Sequence, residues 1–359
     1  MAASARQAEA ARLSGVGAPL GEFELIAAIR ERIERAGAPE SVAGLVLGSG
    51  DDAAVSVREG ASVISVDALI EGVHFRIPPF EPRSVGHKAL AVALSDLAAM
   101  GASPREAYVQ LGVRDGLGEH EVLALADGVG TLAAAHRVAV AGGDLTRAPA
   151  LLLAVTAVGH AAEPEALVRR RGARAGDVLA VTGELGGAAA GLMALERPGL
   201  AAALAEPVAA ALRKRQLEPE PRLAAGLALA GAGATAMIDL SDGLGGDARH
   251  LAAASSAALR IDGERLPVQD GVAAIAEAAG ADAIDLAAGG GEDYELLATL
   301  PPDRVEEAWE AVAACGLKLT VVGSVEPGSG VELSGPGGAT RPISGFDQLR
   351  PRPAPPDRS

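Results

Sequence analysis

The sequence predicts an α/β protein of two domains. Short apolar runs that end in glycine or aspartate, such as 138–141 before Gly142-Gly143-Asp144, alternate with longer stretches of helical periodicity. The 359 residues are enough for two sizeable cores. A polar, arginine-bearing stretch at 163–177 interrupts the apolar pattern and separates them. The expected domains are 21–160 and 161–347, with a loose extension over 1–20 and a tail rich in proline and charge over 348–359.

The elements follow in order. Phe23, Ile26, Ile29 and Ile33 recur at helical spacing, and Gly37 and Pro39 stop that helix. Residues 45–47 form a short strand running into Gly48-Ser49-Gly50-Asp51-Asp52. A second strand at 62–66 ends at Asp67, and a loop runs through Gly72-Val73-His74-Phe75 to Pro78-Pro79. Ser84 caps a helix to Met100, which Gly101 and Pro104 end. A strand at 107–113, a helix at 119–136 and strands at 138–141 and 151–158 complete the first half.

In the second half, 178–181 is a strand, and Thr182-Gly183 leads into a small-residue helix from Gly186. Pro219 and Pro221 precede a helix at 222–230. The apolar run 235–238 is the central strand, followed by helices near 246–257 and 271–280. Gly289-Gly290-Gly291-Glu292 is expected to follow a strand; a helix near 303–315 and a strand at 319–325 come after it.

Composition narrows the function. A net charge of -16 with no basic block excludes a nucleic-acid surface. Apolar residues make up 49% of the chain and aromatics only 2%, so Ala, Leu and Val fill the cores. One cysteine, Cys315, permits no intramolecular disulfide and no thiolate metal site, and fits a reducing cytoplasm. No apolar run reaches the length of a membrane span, and no basic region with an apolar signal core opens the chain.

The chemistry centres on Asp239-Leu240-Ser241-Asp242-Gly243-Leu244, where two carboxylates and a hydroxyl meet at the end of a strand, with Gly245-Gly246-Asp247 beyond. Such a turn into a helix suits metal ions and phosphate. Asp51-Asp52 is either a solvated turn or a pair of oxygen ligands for a hard cation. Asp67, with Ser65 on the same strand face, is a strand-end cap or a ligand. Asp96 stands near a helix C-terminus, where a carboxylate opposes the helix dipole by about 0.3–1 kcal/mol, a cost a cation would offset. Gly142-Gly143-Asp144 is a tight turn or a phosphate cradle. Arg169-Arg170-Arg171 is a solvated face or contains a phosphate ligand. No GxxxxGK[ST] loop, HRD or DFG set, or HExxH occurs, which excludes P-loop kinases, protein kinases and zincins. Repeated Asp–Gly clusters favour magnesium with a polyphosphate.

Together these stretches resemble the thiamine-monophosphate kinase family, within the aminoimidazole ribonucleotide synthetase-like superfamily. The matching segments are Gly21-Glu22-Phe23, Gly50-Asp51-Asp52-Ala53, Val66-Asp67 with Gly72-Val73-His74-Phe75, and Lys88-Ala89-Leu90-Ala91 through Leu94-Ser95-Asp96-Leu97 to Gly101-Ala102. Gly142-Gly143-Asp144, Arg170 with Gly172-Ala173 and Gly176-Asp177, Ile238 to Gly243, and Gly290-Gly291-Glu292-Asp293-Tyr294-Glu295-Leu296 complete the set.

The resemblance implies two α/β domains with mixed sheets, the N-terminal domains pairing in a homodimer. It implies ATP-dependent phosphorylation of thiamine monophosphate to thiamine diphosphate. Several Mg²⁺ ions would be held by Asp52, Ser65, Val66, Asp67, Asp96, Asp144, Asp239 and Asp242. Gly143, Asp144, Arg170 and Ser241 would contact ATP; His74, Glu292 and Phe346 would contact thiamine monophosphate. No side chain is assigned as an acid–base catalyst. Val66 replaces a common threonine, leaving only its carbonyl as a ligand, and Phe346 replaces a larger polar aromatic, keeping the stacking and losing a hydrogen bond. Other ATP-dependent members of the superfamily and a catalytically inactive sensor are the competing readings.

Overall fold

In the computed structural model, residues 21–49, 53–335, 339–341, 343 and 345 are described. Asp51, Asp52 and Phe346 lie outside the described residues, as do both terminal segments. The chain divides into two compact units. Unit 1 gathers described residues up to Val57, then 66–90 and 106–156; unit 2 takes 58–65, 91–105 and the chain from 157 on.

The first part of the chain runs α1 (Glu22–Arg35), β1 (Leu45–Leu47), β2 (Val55–Ser56), β3 (Ala61–Ile70), α2 (Pro82–Ala99), β4 (Ser103–Val113), α3 (Glu119–His136), β5 (Ala139–Arg147) and β6 (Leu152–Ala161). The Glu24 carboxylate accepts the Gly21 amide at 2.8 Å and satisfies one of the free N–H groups where α1 begins. β1 and β2 pair antiparallel, and β3, β6, β4 and β5 form a four-stranded sheet in that order. β3, β4, β6 and α2 each contribute residues to both units.

Of the strands that outrun the sequence pattern, two do so at candidate site residues. β3 does not end at Asp67; it continues to Ile70, because buried Val63 and Leu69 keep the two-residue alternation going across it. β5 does not turn at Gly142-Gly143-Asp144. It runs on to Arg147, paired in parallel with β4, with the register shifting between Ala107 and Tyr108. Gly143 is needed there for close approach: a Cβ would fall 2.2 Å from the Val109 carbonyl oxygen.

Unit 2 continues with β7 (Val178–Thr182), α4 (Gly187–Glu196), α5 (Glu206–Leu217), α6 (Leu223–Gly231), β8 (Ala236–Asp239), α7 (Leu244–Ser255), β9 (Ala258–Asp262), α8 (Val272–Ala279), α9 (Ala283–Gly289), β10 (Leu296–Leu300), α10 (Val305–Ala314), β11 (Leu319–Glu326), β12 (Gly330–Ser334) and β13 (Thr340–Arg341). Its seven-stranded sheet has the order β13-β12-β9-β11-β7-β10-β8. β12 and β9 pair parallel and the other pairs antiparallel, so the sheet is mixed. Leu179, Val181, Ile238, Leu259, Leu297 and Val322 build its core with Leu244 and Leu251 of α7. All are under a tenth exposed, and burying each such side chain contributes about 1.5–3 kcal/mol.

The glycine run 289–291 begins at the last residue of the helix α9, where the sequence predicts a preceding strand. Asp282 decides this: its carboxylate accepts the Ile284 and Asp285 amides at 2.9 and 3.1 Å and starts the helix. Among the described residues no helix is long and apolar enough to cross a membrane.

Candidate active site

In unit 2 the site is built around the end of β8. The last residue of the strand, Asp239, is 4% exposed. Its Oδ2 accepts the hydroxyl of fully buried Ser95 at 2.8 Å. Ser95 precedes Asp96 on α2, and the Asp96 carboxylate accepts the Ser65 hydroxyl of β3. Two serines thus fix two carboxylates, and the candidate residues Ser65, Asp96 and Asp239 become one connected group.

The turn from β8 into α7 brings in a third and a fourth acid. Gly243 has a φ of +92°, which only glycine adopts freely, so the chain bends sharply between Asp242 and α7. Asp247, in the first turn of α7, accepts the Asp242 amide at 3.0 Å. Burial, then the charges of Asp239 and Asp242, push the Asp247 carboxyl up to about 8; the Asp242 amide and the Arg170 guanidinium pull it down. Arg170 therefore acts electrostatically on this acid cluster.

Glu292 is held beside Ser241 by main-chain bonds. The Glu292 amide donates to the Ser241 carbonyl at 2.8 Å, the Tyr294 amide to the Leu240 carbonyl at 2.9 Å, and the Leu240 amide to the Glu295 carbonyl at 2.8 Å. Glu292 and Tyr294 have φ of 69° and 49°, left-handed conformations that cost non-glycine residues on the order of 1–3 kcal/mol each. Buried carboxylates beside Glu292 anchor the segment. Asp293 accepts the Gly186 and Ala188 amides at 2.6 and 3.0 Å, at the start of α4. Glu295, fully buried, pairs with Arg215 and Arg222 and accepts the Thr182 hydroxyl at 2.7 Å. Burial raises the Glu295 pKa, but Arg215 and Arg222 outweigh it and hold the carboxyl below its usual range.

In unit 1, Ser65's neighbour Val66 is 66% exposed, on the face of β3 opposite Asp67. His74 sits in the loop after β3, where its Nδ1 accepts the Ile70 amide at 3.0 Å; in the neutral ring this leaves the proton on Nε2. Asp144 is exposed on β5 and accepts the Gln110 side-chain amide at 2.7 Å. Gly142, Gly143 and Asp144 border a cavity of about 320 Å³, lined by Ile29 and Ile33 of α1 and Val129 of α3. Its apolar walls beside a polar strand segment have the character of a ligand site.

Among the described residues no three His, Cys, Asp or Glu side chains form a ready-made metal cage. The residues nevertheless fit a hard cation. Burial, with the charges of Asp239 and Asp242 added to it, raises the Asp247 carboxyl to about 8, and a divalent ion would relieve the repulsive part. The donors are carboxylate and hydroxyl oxygens, the set Mg²⁺ takes.

Four features escaped the sequence reading: a site role for Asp247, Ser95, Gln216 and the Arg215–Glu295–Arg222 cluster. Asp247 had a signal, an acid one helical turn past Asp242-Gly243. Nothing in Arg213-Lys214-Arg215-Gln216 marks Arg215 or Gln216 as interior, and only their burial does.

The model of the AIR synthase related protein family matches this chain twice, its N-terminal domain at residues 50–161 and its C-terminal domain at 174–335. The thiamine-monophosphate kinase of Mycobacterium tuberculosis (strain CDC 1551 / Oshkosh) is 40% identical over 281 residues, 78% of this chain and 80% of that protein. The crystal structure of thiamine-monophosphate kinase from Stenotrophomonas maltophilia K279a is 38% identical, with a TM-score of 0.77 over 88% of this chain and 97% of that one. A structure described as AaThiL complexed with AMPPCP and TMP is 33% identical, with a TM-score of 0.70 over 91% of this chain and 96% of that one.

Proposed function

The chain belongs to the AIR synthase related protein family, and on that premise we infer how its own residues carry out the work of a thiamine-monophosphate kinase. The activity is ATP-dependent phosphorylation of thiamine monophosphate, giving thiamine diphosphate and ADP. The observation that carries the assignment of residues is the acid cluster at the end of β8, with Arg170 acting on it and Ser95 tying it to α2.

The nucleophile is a phosphate oxygen of thiamine monophosphate. A phosphate monoester has a second pKa of about 6, so at neutral pH it is already mostly dianionic and needs no strong general base. It attacks the γ-phosphorus of ATP, the bond to the β-phosphate bridging oxygen breaks, and ADP leaves with that electron pair. The chain's task is to bring two polyanions together in line, by positioning and electrostatics.

Asp52, Ser65, Val66 through its carbonyl, Asp67, Asp96, Asp144, Asp239 and Asp242 are the proposed Mg²⁺ ligands. When bound, the ions neutralise the phosphate oxygens. Gly143, Asp144, Arg170 and Ser241 are the proposed ATP contacts: Gly143 by its backbone, Arg170 by a guanidinium suited to phosphate, Ser241 by its hydroxyl. The apolar cavity beside Gly143 in unit 1 takes the adenine ring. His74, Glu292 and Phe346 are the proposed contacts to thiamine monophosphate. We assign the domains as 21–160 and 161–347 and the protein to the cytoplasm as a homodimer.

The test is product formation by the purified protein with ATP and Mg²⁺, with thiamine monophosphate present or absent. Thiamine diphosphate identified by mass, formed only when Mg²⁺ is present, is expected. ATP binding without thiamine diphosphate would favour a sister enzyme or a sensor, and no ATP binding would sink the nucleotide reading.

A further inference from the structure

We propose that Gln216 is a positioning residue for the thiamine end of the substrate, its buried amide aiming the Glu292 carboxylate. The inference rests on the reading of Glu292 as a substrate contact and deepens it.

Gln216 lies on α5 and is 1% exposed. Its Nε2 donates to Glu292 Oε2 at 2.6 Å, across 76 residues of sequence. A primary amide is costly to bury without a partner, and a leucine would fill this interior position without that cost. The polar side chain is explained by what it holds. Glu292 sits in a left-handed conformation and is half-buried, so its direction is set by its surroundings.

Those surroundings form a rigid frame. Asp293 binds the first amides of α4, and Glu295 binds Arg215 and Arg222 on either side of the C-terminus of α5. α4 and α5 touch through their backbones: a Cβ on Gly191 would lie 2.0 Å from the Leu212 carbonyl oxygen. The segment 292–295 and the helix pair are thus one body, and Gln216 is its contact to the carboxylate of Glu292.

The choice of a neutral amide has a chemical consequence. Arg215, the preceding residue, pairs with Glu295. Gln216 then orients Glu292 without cancelling its charge. The thiazolium ring of thiamine is a permanent cation, so an aimed carboxylate attracts that end of the substrate.

The test measures kcat and the KM values for thiamine monophosphate and ATP in Gln216→Leu, Gln216→Glu, Glu292→Gln and the double variant Gln216→Leu/Glu292→Gln. Gln216→Leu is expected to raise the KM for thiamine monophosphate about tenfold, the equivalent of one lost hydrogen bond to a charged group. The KM for ATP and kcat should stay within about twofold, and Gln216→Leu should add under about twofold in the Glu292→Gln background. Gln216→Glu sets two carboxylates together, and its KM for thiamine monophosphate should recover as pH is lowered and a shared proton restores the bond, a pH dependence the native protein lacks. That pH profile decides the matter should the leucine variant fail to fold.

A raised KM in Glu292→Gln with an unchanged one in Gln216→Leu overturns the role of Gln216 and leaves the reading of Glu292 standing. An unchanged KM in Glu292→Gln overturns that reading, and the inference with it. A parallel rise in both KM values, additive in the double variant, shows a merely structural residue.

Discussion

The charges of Asp239 and Asp242 reach Asp247 and help raise its carboxyl, and Ser95 and Ser65 donate hydrogen bonds to the carboxylates of Asp239 and Asp96. Replacing a carboxylate by its amide keeps the shape and removes one negative charge from a proposed oxygen ligand. Asp96→Asn, Asp144→Asn and Asp242→Asn are each expected to lower kcat/KM for ATP about 10²-fold or more with little change in melting temperature. Normal turnover in all three would remove the metal-cluster reading. Asp239 at a strand end was legible in the sequence, because an apolar run, an acid and a glycine turn are all local. The role of Ser95 was not: a serine between Leu94 and Asp96 on a helix looks like any small residue until its partner 144 residues away is known.

At the scale of elements, the segment 292–295 depends on carboxylates with opposite pH behaviour. Burial, opposed by Arg215 and the Ala188 and Gly186 amides, pushes Asp293 up to about 6, above its ordinary value of about 3.9. The folded chain therefore binds this proton more tightly than the unfolded chain. Between about pH 4 and about pH 6 the group makes stability fall as pH rises. Glu295 is shifted the other way, so its contribution is present above the unfolded carboxylate value and is lost as pH falls through the folded one. Asp293→Asn removes only the first effect. The stability of the native protein relative to this variant should shrink by on the order of 2 kcal/mol as pH rises from about 4.5 to about 7.5, read by urea unfolding. Parallel stabilities at both pH values would mean that Asp293 does not carry this shift. Most helices and strands were legible from periodicity and from glycine and proline stops, as α1 and α3 illustrate. β9 and β10 were not, because their neighbours in the sheet come from distant segments. α9 was hidden by the glycines that follow it, although Asp282 is its cap.

At the scale of the whole molecule, the two family domains and the mixed seven-stranded sheet account for the architecture, and assembly is the remaining question. The sequence resemblance implies a homodimer built by the N-terminal domains, and β3 has a face suited to that. Ser62, Ile64, Val66 and Ala68 alternate outward along the strand, while Val63 and Leu69 are buried on its other face. Ile64 is 63% and Val66 66% exposed, an apolar, β-branched pair that a lone chain would leave in water. A second copy covering this face would bury about 1.5–3 kcal/mol of apolar side chain at each such position. It would also account for Val66, whose side chain points away from Ser65 and Asp67: the outward face would then belong to assembly and the inward face to the proposed site. Ile64→Lys/Val66→Lys places two charges on that face, and burying them unpaired is prohibitive. Light scattering of the eluting native protein should give twice 35.7 kDa, and the double variant 35.7 kDa. A dimeric double variant would move the interface elsewhere on the molecule, and a native mass of 35.7 kDa would end the dimer proposal.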